Sequence, residues 1–316
     1  MKAVLLDAKW MDDVGFAAIE SQVTEFDYYL ETQTDERLQR CQGAEVVLVN
    51  KVIIDDALMA QLPELKLICV IATGTNNIDL AAAKALGIAV TNCAAYGVTS
   101  VAQHTLALML ALMTRLVDYN NAVKSGEWQK ASTFCMLNFP IMELESKTLG
   151  IVGYGDLGQA VAKLARALGM TVKVAARPNS EALPQGRIAF DELIKEVDIL
   201  SLHCPLTEQT KDLVDDAVIS QMKPGSYIVN CARGGVVNEE ALAQALRSGQ
   251  LAGAATDVLS QEPPTGDNPL LAADLPNLII TPHSAWGSQA ARTTIVAQAA
   301  ENIAAFKKGE KLRCVD

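Results

Sequence analysis

The sequence holds no C-x-x-C pair, no apolar run of membrane-spanning length, no tandem repeat and no low-complexity tract. A span needs about 20 predominantly apolar residues. The best candidate, Val101 to Met113, is too short and carries Gln103 and His104. No membrane partner is expected. The seven cysteines are scattered and odd in number, which argues for reduced thiols in the cytoplasm and against a zinc site or other metal centre. Positive charge is scarce: 26 Lys and Arg stand against 37 Asp and Glu, a net charge of −11. That balance argues against a nucleic-acid partner. The opening Met1–Asp7 ends its apolar run on an acid, so it reads as a first β-strand and not as a signal peptide.

What is present is a chain of 316 residues, half of them hydrophobic and 20% charged, long enough for two α/β domains. Strand patterns fall at Ala3–Asp7, Glu45–Asn50, Leu67–Ile71 and Ile88–Thr91, with helical stretches at Asp55–Gln61 and Leu80–Leu86 before Gly87. Alternation of this kind implies parallel sheets flanked by helices. A helix is expected from a cap at Thr99 or Ser100 to about Leu116, apolar almost all round and therefore buried. After an irregular connector, 126 to 146, six more strands are expected, from Leu149–Val152 to Leu278–Thr281. The final Ser288–Lys308 reads as an Ala-rich helix with no strand to follow.

The most informative stretch is Lys147–Gly158. A short apolar strand leads into Gly153, Tyr154, Gly155, Asp156, Leu157 and Gly158, and a helix follows. The first glycine permits a tight turn, the second lets backbone approach a pyrophosphate, and the third lets helix pack on strand. The pattern alone is weak. Strand before, helix after and a further strand at Thr171–Ala175 make it a dinucleotide-binding fingerprint.

Several segments in order then resemble the D-isomer-specific 2-hydroxyacid dehydrogenases along nearly the entire chain. They are Ala72–Asp79, the glycine fingerprint, His203-Cys204-Pro205-Leu206-Thr207, Asn230–Gly235, Ala255–Val258 with Glu262-Pro263, and Thr281-Pro282-His283. Val101–His104 and His283–Trp286 look most like the glycerate dehydrogenase (hydroxypyruvate reductase) branch. The resemblance implies two Rossmann-like domains with the cofactor and substrate cleft between them. Residues 1–98 with 284–316 would form a flavodoxin-like substrate domain, and 99–283 the dinucleotide-binding domain. The long apolar helix would cross between subunits of a homodimer.

Reduction of a 2-oxo acid needs a proton donor, and His283 suits it because imidazole titrates near neutral pH. By resemblance Glu262 hydrogen-bonds that ring, and a carboxylate there favours the protonated form. Arg233 offers a planar fork for the substrate carboxylate. The resemblance also places His203, Cys204, Pro205, Thr210, Cys231, Ala232 and Asp257 around the cofactor, the last at the nicotinamide carboxamide. Thr73 and Gly74 would present backbone N–H groups to the substrate, although Ala72 replaces a usual glycine. Lys51 and Trp286 are further substrate candidates, and His104 is a supporting residue.

An acid about twenty positions after the fingerprint would hold the ribose of NAD. None stands there; Ala176 and Arg177 do, with Asn179 and Ser180 beyond. Arg177 could bind a 2′-phosphate, so NADP or NAD is expected, leaning to NADP. The expected activity is hydroxypyruvate or glyoxylate reduction. D-lactate and 3-phosphoglycerate remain open as substrate-level alternatives; the end at Asp316 leaves no room for a regulatory extension. A nucleotide-sensing interaction protein of the same fold is the alternative of a different class.

Overall fold

The computed structural model of the chain describes residues 1–177 and 183–315. It divides into two compact units, Met1–Gly97 with Gly287–Asp316, and Val98–Trp286. Residues 284–286, expected with the first domain, belong to the second, where the Ser284 and Ala285 N–H groups are held by Asp257.

The first unit is built on five parallel strands, β1 (Lys2–Leu5), β2 (Glu25–Tyr28), β3 (Val46–Val49), β4 (Leu67–Val70) and β5 (Ala89–Thr91). Their order, β2-β1-β3-β4-β5, is the flavodoxin-like one. β3 and β4 are buried throughout, as central strands covered on both faces must be. Strand β2 was not legible in the sequence because it is a polar edge: Glu25 and Asp27 lie outward and pair with Lys2 at 2.9 and 3.1 Å. Four short helices, α1 (Ala17–Glu20), α2 (Arg37–Cys41), α3 (Asp56–Met59) and α4 (Leu80–Ala85), connect the strands. The N-caps of α3 and α4 are Asp55 and Asp79, whose carboxylates accept from Leu58 and Ala82 N–H.

The second unit opens with α5 (Val98–Thr114) and α6 (Leu116–Lys124). The sequence suggested one helix to Leu116, but Arg115 adopts left-handed dihedrals (φ 54°) and the chain bends by 63° there. The helix also begins earlier than expected, so Ser100 lies inside it and donates to the Ala285 carbonyl at 2.6 Å. Then come β6 (Thr148–Val152), α7 (Asp156–Ala167), β7 (Thr171–Val174), α8 (Phe190–Glu196), β8 (Ile199–Leu202), α9 (Asp216–Gln221), β9 (Ser226–Asn230), α10 (Glu239–Ser248), β10 (Leu251–Thr256) and β11 (Leu278–Ile280). The sheet order is β11-β10-β9-β8-β6-β7. A lone parallel bridge, Ala175 to Ile188, extends it past β7. Counting that bridge as a vestigial third strand, the order is the doubly wound one with its switch point between β6 and β8. Helix α11 (Gln289–Lys307), capped by Ser288, returns to the first unit and packs on β4 and α1. Cys314 then bridges Thr91 antiparallel, a single pairing where the sequence suggested none. Among the described residues no single helix is long and apolar enough to cross a membrane.

Gly158 shows how tightly α7 sits on β6: a Cβ there would lie 2.1 Å from the Gly153 carbonyl oxygen. Backbone must move to admit a methyl group, so Gly158→Ala should cost about 1–3 kcal/mol. Thermal unfolding of the two proteins checks this; an unchanged melting temperature would contradict the packing.

Candidate active site

At the switch point the ends of β6 and β8 almost touch. Gly153 (φ +88°) could not carry a side chain, since its Cβ would meet the Cys204 nitrogen and the His203 carbonyl at 2.6 Å. Gly155 by contrast faces open space and is the N-cap of α7, with no side chain capping the helix. Uncapped N–H groups at the start of a twelve-residue helix, reached through glycines, suit a pyrophosphate. The residues present therefore fit a dinucleotide.

Around this loop the cysteines are inert. Burial pushes the Cys204 thiol up to about 11 and the Cys231 thiol up to about 12. Thr210 ties the turn after β8, donating to the Pro205 carbonyl at 2.6 Å and accepting from Thr207 N–H at 2.8 Å. His203 shares a hydrogen bond with Ser201 Oγ at 2.8 Å through Nε2, while Nδ1 is buried without a partner. Burial holds this imidazole down to about 4, so it is neutral at physiological pH.

The candidate catalytic groups come from three strand ends. Beyond β9, the Asn230 side chain accepts from Ala232 N–H and donates to the Arg233 carbonyl, both at 3.0 Å, shaping the turn that presents Arg233. Arg233 is exposed, and its Nη1 donates to the Ala232 carbonyl at 2.7 Å. The next residue, Gly234, lies so close to the Leu259 carbonyl that a Cβ would come within 1.9 Å. That contact seats the turn against the loop carrying Glu262. Glu262 Oε1 accepts from Leu259 N–H at 2.9 Å, and Oε2 meets His283 Nδ1 at 2.6 Å. Glu239, in the first turn of α10, braces the same loop through Ser260 N–H and Oγ at 2.6 and 2.8 Å. Sequence reasoning passed over Glu239 because its motif reads as an ordinary helix start.

His283 has φ 52°, a conformation that β-carbon-bearing residues avoid. Asp257, 2% exposed at the end of β10, holds it there. Its Oδ1 accepts from Thr281 Oγ1 at 2.5 Å and Ser284 N–H at 2.9 Å, and its Oδ2 from Ala285 N–H at 2.9 Å. Thr281 has one hydroxyl proton and gives it to Asp257, so His104 Nε2, 3.0 Å away, is the donor in its contact with Thr281. His104 thereby supports the segment carrying His283 at second hand. Trp286, half-buried, packs on the core of the same unit.

The remaining candidates lie in the first unit. Lys51 is exposed, its backbone N–H held by Asp7 at 2.6 Å. The Thr73 hydroxyl donates to the Cys93 carbonyl at 3.0 Å, and half-buried Gly74 follows it. Ala176 is buried and Arg177 exposed just past β7, whereas Asn179 and Ser180 lie outside the described residues.

Two outcomes follow from these bonds. Thr281→Val leaves Asp257 and His104 without their shared partner and should cost about 1–3 kcal/mol in urea unfolding, while Thr281→Ser stays near wild type; equal losses in both would refute the bridge. For His203, with an ordinary value of 6.5 and a folded value of about 4, the unfolded chain takes up the proton first as pH falls. Its contribution is complete above that ordinary value and fades toward the folded one. Between pH 7 and 5 His203→Gln should therefore lose about 2 kcal/mol less stability than wild type.

Comparison with known proteins places the chain in a family. The family profile described as D-isomer specific 2-hydroxyacid dehydrogenase, NAD binding domain, matches residues 106–285. The chain is 41% identical over 323 residues to a glycerate dehydrogenase of Methylorubrum extorquens, covering 100% of this chain and 99% of that one. It is 36% identical over 323 residues to a hydroxypyruvate reductase of Blautia hydrogenotrophica, covering 100% of both. Among solved structures, the acyclic imino acid reductase Bsp5 in complex with NADPH and D-Arg superposes with a TM-score of 0.85 at 27% identity, covering 100% of each chain. With a glycine cradle at the switch point, a paired imidazole and carboxylate downstream, and full-length relatives of this kind, the chain belongs to the D-isomer specific 2-hydroxyacid dehydrogenase family of oxidoreductases.

Proposed function

We propose that this dehydrogenase interconverts hydroxypyruvate and D-glycerate, with glyoxylate as a second substrate, and uses NADP(H) in preference to NAD(H). The observation that carries the chemistry is the 2.6 Å contact between Glu262 Oε2 and His283 Nδ1. It fixes the ring and leaves Nε2 as the nitrogen for substrate. The same pairing favours an enzyme over a nucleotide sensor, which has no need of an oriented acid.

The nicotinamide cofactor, when bound, supplies or accepts the hydride. In reduction, His283 Nε2–H gives its proton to the oxygen forming at the carbonyl carbon; in oxidation, neutral Nε2 takes the hydroxyl proton. Arg233 receives the substrate carboxylate in its planar fork and polarises the carbonyl oxygen. Thr73 and Gly74 offer backbone N–H groups to that carboxylate, Lys51 adds a cation and Trp286 an apolar wall. Among the described residues Asp257 Oδ2 accepts only from Ala285 N–H, so it keeps an acceptor position for the cofactor carboxamide. The NADP preference is supported by exposed Arg177 following Ala176 and by the NADPH complex of Bsp5.

The working form we propose is a cytoplasmic homodimer. All seven cysteines are free, and exposed apolar side chains gather on α6 and the connector after it, Leu116, Phe134 and Leu137 being 61, 89 and 74% exposed.

His283→Ala should lower kcat with hydroxypyruvate by about 10²–10⁴-fold. Its NADPH dissociation constant, measured by quenching of protein fluorescence, should stay close to wild type. Retained turnover would sink the acid/base assignment. A substrate panel in which another 2-oxo acid gives the highest kcat/KM would sink the hydroxypyruvate assignment instead.

A further inference from the structure

We propose that Arg187 is a second cation of the cofactor's 2′-phosphate subsite, acting with Arg177 to set the choice between NADPH and NADH. The inference rests on the NADP reading above, and not on which oxo acid is reduced.

Past β7 the chain pairs once more. Ala175 bridges Ile188 in parallel, Ile188 N–H donates to the Val174 carbonyl at 3.0 Å, and Ala176 N–H donates to the Ile188 carbonyl at 2.7 Å. This pairing carries Arg187, ten positions beyond Arg177 in the sequence, back to the end of the same strand. There its Nη1 donates to the Ala175 carbonyl at 3.3 Å. Its guanidinium also covers the ring of Tyr154, 4.7 Å from the centroid. Tyr154 is the second residue of the glycine loop. A half-buried planar cation, held by stacking below and by a carbonyl at its edge, thus spans the glycine loop and the end of β7. In a doubly wound sheet the adenosine ribose lies at that position, one strand away from the pyrophosphate.

A guanidinium has five N–H donors. The Ala175 carbonyl takes one, and among the described residues no carboxylate pairs with Arg187. Its free edge and exposed Arg177 therefore offer two positive charges where a 2′-phosphate brings about two negative ones. Stacking on Tyr154 restricts the long side chain beforehand, so less freedom is lost on binding. The other occupant such a cation could take is the adenine face, and the two differ in what they discriminate.

The test uses the intact protein with 2′,5′-ADP and 5′-ADP as probes, titrated calorimetrically against wild type, Arg187→Gln and Arg187→Lys. Arg187→Gln should weaken 2′,5′-ADP about tenfold or more while 5′-ADP changes less than about twofold, and Arg187→Lys should fall between. Equal weakening of both probes would assign Arg187 to adenine stacking or to loop structure and overturn the proposal. So would a wild-type preference for 2′,5′-ADP that survives Arg187→Gln, which leaves the NADP reading standing. A wild type that binds 5′-ADP more tightly overturns that reading and this one together.

Discussion

Asp257 is the constraint on which the segment carrying His283 depends. A carboxylate removed from water is costly unless its oxygens are satisfied. Asp257 meets that requirement with the Thr281 hydroxyl and two backbone N–H groups flanking the turn at His283. The arrangement works in both directions: the donors make the buried charge tolerable, and the charge holds a histidine in a left-handed conformation that it would otherwise leave. Glu262 then fixes the one remaining freedom, the ring's rotation. Position and orientation of the imidazole are thus set by two different carboxylates from two loops.

The same economy recurs around the glycine loop. Gly153 and Gly158 are glycines because other backbone lies where their side chains would be, whereas Gly155 borders empty space. The three positions of one motif therefore serve different ends, two packed against backbone and one left open. His203 beside them is kept neutral by burial, so it adds no charge to the uncapped N–H groups at the start of α7. Arg187 lies over the Tyr154 ring, so the edge of the glycine loop also holds a half-buried guanidinium.

Much of the architecture was legible because it rests on local rules. Buried parallel strands read as short apolar runs, and aspartates and serines mark helix starts. Strand β2 escaped because its Glu25 and Asp27 face solvent, erasing the apolar run. The break at Arg115 escaped because no glycine or proline announces it. Arg115 instead bonds Asp118, three residues on, at 2.6 Å and lies over the ring of Phe139 in the connector, so side-chain contacts support the left-handed turn.

By itself the sequence determined the dinucleotide fingerprint, the strand that leads into it and the five that follow, because each depends on residue type and spacing within one short segment, while its resemblance to the dehydrogenase family singled out Arg233, Glu262 and His283 as candidates. Only the tertiary structure decided that Asp257 and Thr281 hold the histidine's backbone, that Glu239 braces the loop carrying Glu262, and that Arg187 returns to the side of Tyr154. Those facts join residues tens of positions apart through parallel strand pairing, whose register follows from packing of whole elements and leaves no mark in any one stretch of chain.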